Sequence, residues 1–128
     1  VDIDPHQLVH QVVDGVHAIA FHRDENGHVN AEFVRRFFAS ELLRATADMN
    51  VLVVDLAGVA SVDSSALGPL VQKLRDVQER QGRMALAGVQ APALREIFAL
   101  TRFDKVFRIY NTRAEAIRAL SSNAATTE

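Results

Sequence analysis

Residues 51–70 read Val-Leu-Val-Val-Asp-Leu-Ala-Gly-Val-Ala-Ser-Val-Asp-Ser-Ser-Ala-Leu-Gly-Pro-Leu, and the hydrophobic period changes partway along them. That change restricts the chain to folds in which a buried strand hands over to a helix. Residues 51–56 are β-branched and nearly uncharged, which suits a strand covered on both faces. Beyond the small-residue loop, Leu67, Leu70, Val71, Leu74 and Val77 follow the spacing of one helical stripe. Asp63, Ser64 and Ser65 therefore stand at the handover, where the first helical N–H groups lack partners and the helix dipole is positive. Such a place suits a capping hydroxyl, on Ser64 or Ser65, contributing about 1 kcal/mol. It equally suits a covalent switch, since a phosphate brings about 1.5 to 2 negative charges and three strong acceptors. The residues at the handover do not choose between the two.

The flanking segments supply the rest of a sheet. Two apolar runs, 8–13 and 16–21, are separated by Asp14-Gly15, a pair that tolerates the positive φ of a tight hairpin turn. The implied register sets Val12 against His17 and His10 against Ile19, leaving His10 and His17 as diagonal neighbours roughly 7 Å apart, with His22 on the other face. Without a clustered third ligand, two histidines make a poor metal site. Residues 23–29 are charged and turn-rich, a loop. Asn30 is suited to cap a helix reaching about Ala47 with core stripe Val34, Phe37, Phe38, Leu42 and Ala45. Arg35, Arg36 and Arg44 then fall on a solvated face or meet an acidic partner.

After the second helix, Gln81-Gly82 turns the chain into a short strand at 84–87, and Pro92 opens a helix carrying Leu94, Ile97 and Phe98. Residues 106–110 read as the last strand. Thr112 and Glu115 have capping-box spacing for a final helix through Leu120, and 121–128 read as a polar, disordered tail. The order β-β-α-β-α-β-α-β-α predicts an α/β fold: a hairpin leading into a mixed sheet of four to five strands, parallel in its second half, with about four helices.

Several function classes are disfavoured. A chain of 128 residues without cysteine has neither disulfides nor thiolate chemistry, and a net charge of −2 argues against a nucleic-acid surface. No apolar run approaches the ~20 residues of a membrane span. The first residues do not resemble a signal peptide, so a cytoplasmic location is expected. Opening on Val1 rather than Met, the chain reads as trimmed or excised from something longer. Asp55 invites comparison with the phospho-accepting aspartate of receiver domains, but the accompanying acidic pair, hydroxyl and lysine are missing. The segment around Ser64 lacks both glycines of a nucleophile elbow, and no Gly-Lys-Ser or Gly-Lys-Thr loop is present. Catalysis is not expected, nor a cofactor or metal.

The element order, together with Val62-Asp63-Ser64-Ser65-Ala66-Leu67-Gly68, resembles the STAS family, the sulfate-transporter and anti-sigma-factor-antagonist domain, and most closely its bacterial anti-anti-sigma factors. The likeness spans about residues 8–120 and implies a STAS domain over 1–120. It also implies a switch: the unmodified protein binds an anti-sigma factor that is an ATP-dependent serine kinase, freeing a sigma factor. The kinase then phosphorylates Ser64, with Ser65 as runner-up, and a serine phosphatase reverses the step. Asp63, Ser64, Ser65, Ala66, Leu67, Gly68 and Asn30 would meet the partner. Ala66 stands where the family usually has Gly, and Asn30 where it has Asp. Within the same family, the alternatives are a non-switching subunit of a larger signalling or transporter-accessory complex, and a small-ligand sensor.

Overall fold

The hairpin forms in the expected register: β1 (Leu8–Val13) and β2 (Val16–Phe21) pair antiparallel, with Val12 opposite His17 and His10 opposite Ile19. Asp14 and Gly15 both adopt positive φ, 52° and 81°, as a turn of this hand requires. The computed structural model describes residues 7–121. His10 and His17 come closer than diagonal spacing suggests. Their rings are nearly parallel, 7° apart, and His10 Nε2 lies 3.0 Å from His17 Nδ1, so one ring donates a hydrogen bond to the other.

This bond requires at least one neutral ring nitrogen. Burial lowers the pKa of His17 below 6.5, and the charge of His10 lowers it further. A histidine with a depressed folded pKa contributes stability that is present above 6.5 and is lost as pH falls through the folded value. Denaturant midpoints are therefore expected to drop on acidification from pH 7 to pH 5 more steeply than in His17→Gln. Equal slopes in the two proteins would show that the pair does not titrate this way.

Asn30 caps the next helix as expected, its Oδ1 accepting from the Phe33 N–H at 3.0 Å. The single helix expected to reach Ala47 is instead three pieces: α1 (Ala31–Arg36), a π-helical turn (Phe37–Glu41) and α2 (Leu42–Ala45). Within it the Leu42 N–H reaches back five residues to the Phe37 carbonyl. The wide turn serves packing, because consecutive Phe37 and Phe38 are both buried edge-on to Phe21, with centroids 5.7 and 5.6 Å from it. Phe33 joins the same cluster, an addition to the expected stripe.

The remaining elements are β3 (Val51–Asp55), α3 (Ser64–Glu79), β4 (Arg83–Ala87), α4 (Pro92–Leu100), α5 (Phe103–Val106), β5 (Arg108–Tyr110) and α6 (Arg113–Leu120). The sheet order is β1-β2-β3-β4-β5, parallel from β2 onward. The expected last strand over 106–110 is shorter: Arg102 takes a left-handed conformation, φ 63°, and starts α5, which uses residues up to Val106 before β5 begins. One sheet face carries Ile19, Phe21, Leu52, Val54 and Leu86 into the main core with the helices from α1 to α4. The other carries the smaller Ala18, Val53, Ala85 and Ala87, against which α6 lays Ala116, Ile117 and Leu120. This two-sided burial explains the uniformly apolar strands. Ser121, expected to begin the tail, is buried and donates its hydroxyl to the Arg118 carbonyl. Residues 122–128, the rest of that expected tail, lie outside the described residues.

Lys73 is buried on α3, and its Nζ donates to the Thr46 carbonyl, 2.5 Å away, just beyond the end of α2. Burial, and then Arg80, lower its pKa below 10.5. A lysine shifted in this direction costs stability while charged, and the cost is relieved as pH rises through the folded pKa toward 10.5. The Thr46 carbonyl also accepts from the Met49 N–H at 2.9 Å, so it keeps a partner if the amine is removed. Lys73→Met is thus expected to match or exceed the wild-type melting temperature at pH 7, and to lose the wild-type rise in stability above neutral pH. A large drop at pH 7 would instead make the ammonium a net stabiliser.

Candidate functional site

The site lies where the loop after β3 delivers the chain to α3. Leu56, Val59 and Val62 are buried plugs in that loop, while Gly58, Ala60 and Ser61 between them are exposed. The Leu56 N–H donates to the Ala87 carbonyl at 2.8 Å, tying the loop's start to the end of β4. Anchored in this way, the loop leaves Asp63 exposed, with Ser64 as the first helical residue. The N-cap position therefore falls on Asp63 rather than on either serine, and Ser64 stands in the first turn, among the unpaired N–H groups. Pro69 is the sixth residue of α3, past the first turn, so it has no N–H for the Ser65 carbonyl four residues back.

The residues named from sequence are only partly brought together as a surface. Asp63, Gly68 and Asn30 are exposed. Ala66 and Leu67 are not: they are 3% and 6% exposed and pack in the main core, because the helical stripe that includes Leu70 turns them inward. Ala66 instead forms part of a groove of about 230 Å³ between α1 and α3, shared with Ala31, Val34, Arg35, Val62 and Asp63.

Arg35 is the residue of this groove that sequence reasoning left on a solvated face. It is exposed and pairs with Glu32 one turn earlier. That hydrogen bond, the Coulomb attraction of Glu32 and then that of Asp63 raise its pKa. A guanidinium thus stands beside the start of α3, near enough to Asp63 to feel its charge. No local pattern joins positions 35 and 63; only the packing of α1 on α3 does. The other basic residues placed with it, Arg36 and Arg44, are exposed, Arg44 3.6 Å from Glu41.

Asp55 has a structural setting. It is buried, its Oδ1 accepts from the Ala57 N–H at 3.0 Å, and its Oδ2 lies 3.4 Å from Arg113 Nε on α6. Among the described residues no group of three or more His, Cys, Asp or Glu side chains is placed to hold a metal ion. No helix among them is long and apolar enough to cross a membrane.

Comparison with known proteins places these features in a wider set. The family model for the STAS domain matches residues 24–116. A Thermotoga maritima protein provisionally named an anti-sigma factor antagonist is 28% identical over 113 residues, covering 88% of this chain and 93% of its own. Among solved structures, an anti-sigma-factor antagonist (STAS) domain protein from Planctomyces limnophilus superposes with a TM-score of 0.65 at 26% identity, covering 90% of this chain and 98% of that one. An anti-sigma factor antagonist from Mycobacterium paratuberculosis gives 0.62 at 26% identity, covering 91% and 96%.

Proposed function

Because the chain belongs to the STAS domain family, we propose that it is an anti-sigma factor antagonist switched at Ser64. The unmodified form binds an anti-sigma factor with serine-kinase activity and so releases a sigma factor. Transfer of the ATP γ-phosphoryl group to the Ser64 hydroxyl ends the interaction, and a phosphatase restores it by hydrolysis. The observation that carries this reading is the position of Ser64 in the first turn of α3, directly after the exposed Asp63.

The physical logic is a difference between two environments. Within the domain, a phosphate in the first turn gains from the helix dipole by under ~1 kcal/mol and has Arg35 within the same neighbourhood. It also meets the like charge of Asp63. At an interface fitted to a neutral hydroxyl, the dianion would be buried without a partner, which costs several kcal/mol. Modification thus ejects the partner while the domain stays folded. Incubation with the cognate kinase and ATP, followed by mass spectrometry, is expected to find one phosphate on Ser64. If both Ser64 and Ser65 stay unmodified, the switch is wrong, and a non-switching role within the family takes its place.

A further inference from the structure

A second concavity lies on the opposite sheet face from the main core, between the β1–β2 hairpin and α6. It measures about 670 Å³, within the range of small-molecule sites. The hairpin contributes Gln11, Val13 and Asp14; α6 contributes Arg113, Ile117 and Arg118. Among the described residues, α6 is the one helix in the smaller core cluster, whose buried apolar residues lie under β2 to β4, and none of them covers the β1 side of this face.

Arg113 is the feature that marks this cleft as more than an apolar gap. Its Nε faces Asp55 and about a third of its side chain stays exposed (34%), while among the described residues its Nη1 is buried with no hydrogen-bond partner. A buried guanidinium N–H left unpaired is costly, and native proteins pair nearly all such groups. The group that best completes an arginine fork is a carboxylate. Arg118, five residues further along α6, adds positive charge at the cleft, while Asp14 on the hairpin side disfavours ligands with several negative charges. The volume far exceeds a carboxylate alone, and Val13 and Ile117 offer an apolar wall.

We propose that this cleft binds a monocarboxylate with an apolar tail, its head on Arg113 and its tail along Val13 and Ile117. The cleft shares no lining residue with the groove beside the start of α3, and the proposal stands whether or not Ser64 is modified. The full chain can be titrated with decanoate, decanol and acetate while amide resonances are followed by two-dimensional NMR. Decanoate is expected to shift residues 11–14 and 113–118 saturably, while decanol and acetate at equal concentration leave them in place. Gln11→Trp, at an exposed edge position, fills the cleft and is expected to weaken decanoate binding about tenfold. Arg113→Lys keeps a cation for Asp55 but loses the fork, and a similar loss is expected with the fold intact. The proposal is overturned if decanoate leaves these resonances unmoved, if decanol shifts them equally, or if Gln11→Trp binds decanoate as tightly as the wild type.

Discussion

Ser64→Glu is expected to weaken binding to the cognate anti-sigma kinase by about a hundredfold, roughly 2.7 kcal/mol, without unfolding the domain. Glutamate brings one negative charge, less than a phosphate, to the first turn of α3. There it interacts favourably with the helix dipole by about 0.3–1 kcal/mol, so the melting temperature should hold or rise slightly. At the interface the same carboxylate must lose water beside Asp63, and an uncompensated buried charge typically costs about 3–5 kcal/mol. Ser64→Ala supplies the contrast: it should bind like the wild type yet resist release by ATP. Isothermal titration with the kinase measures both. A glutamate variant that binds as tightly as serine would mean that position 64 does not face the partner.

For stability, the largest single effect is expected at Gly82. It sits between α3 and β4, where its N–H donates to the Val77 carbonyl at 2.8 Å and the next N–H, of Arg83, donates to the Asn50 carbonyl at 2.8 Å. A Cβ at position 82 would lie 1.9 Å from the Asn50 carbonyl oxygen and 3.0 Å from Val77 Cγ1. The obstacle is backbone, and it is the same carbonyl that joins the start of β4 to the entry of β3, so it cannot retreat without breaking that link. Gly82→Ala should therefore cost about 3 kcal/mol or more, at or above the upper end of overpacking penalties. Gly68 is the internal control. It is helical and exposed, and apart from its chain neighbours and its own helix backbone nothing lies within 4 Å of a new Cβ; the helix-propensity gain is offset by the restriction that Pro69 places on the residue before it, and Gly68→Ala should change stability by less than about 1 kcal/mol. Urea unfolding of the two variants separates the predictions, and a Gly82→Ala protein within 1 kcal/mol of wild type would contradict the steric account.

Much of the architecture was legible because it rests on local rules. The hairpin follows from Asp14-Gly15, whose backbone preference is a property of those two residues. The start of α1 follows from Asn30, and that of α6 from Thr112, which accepts from the Glu115 N–H at 3.2 Å. The buried strands follow from runs of β-branched and small residues that no half-exposed strand would carry. Where the local rules fell short, packing prevailed. Residues 31–45 have a helical pattern, yet seating both Phe37 and Phe38 on Phe21 opens a π turn that propensity does not foresee. Val106 has strand character, but α5 claims it before β5 begins.

The candidate site divides in the same way. Asp63-Ser64-Ser65 was recognisable from the chain, since a change of hydrophobic period places acidic and hydroxyl residues at a helix start whatever surrounds them. That Ala66 and Leu67 turn into the core, that Arg35 stands near Asp63, and that Arg113 reaches buried Asp55 across the opposite face could not be read there. Burial, charge proximity and a shared groove depend on distances between residues far apart in sequence, and packing of the helices against the sheet sets those distances.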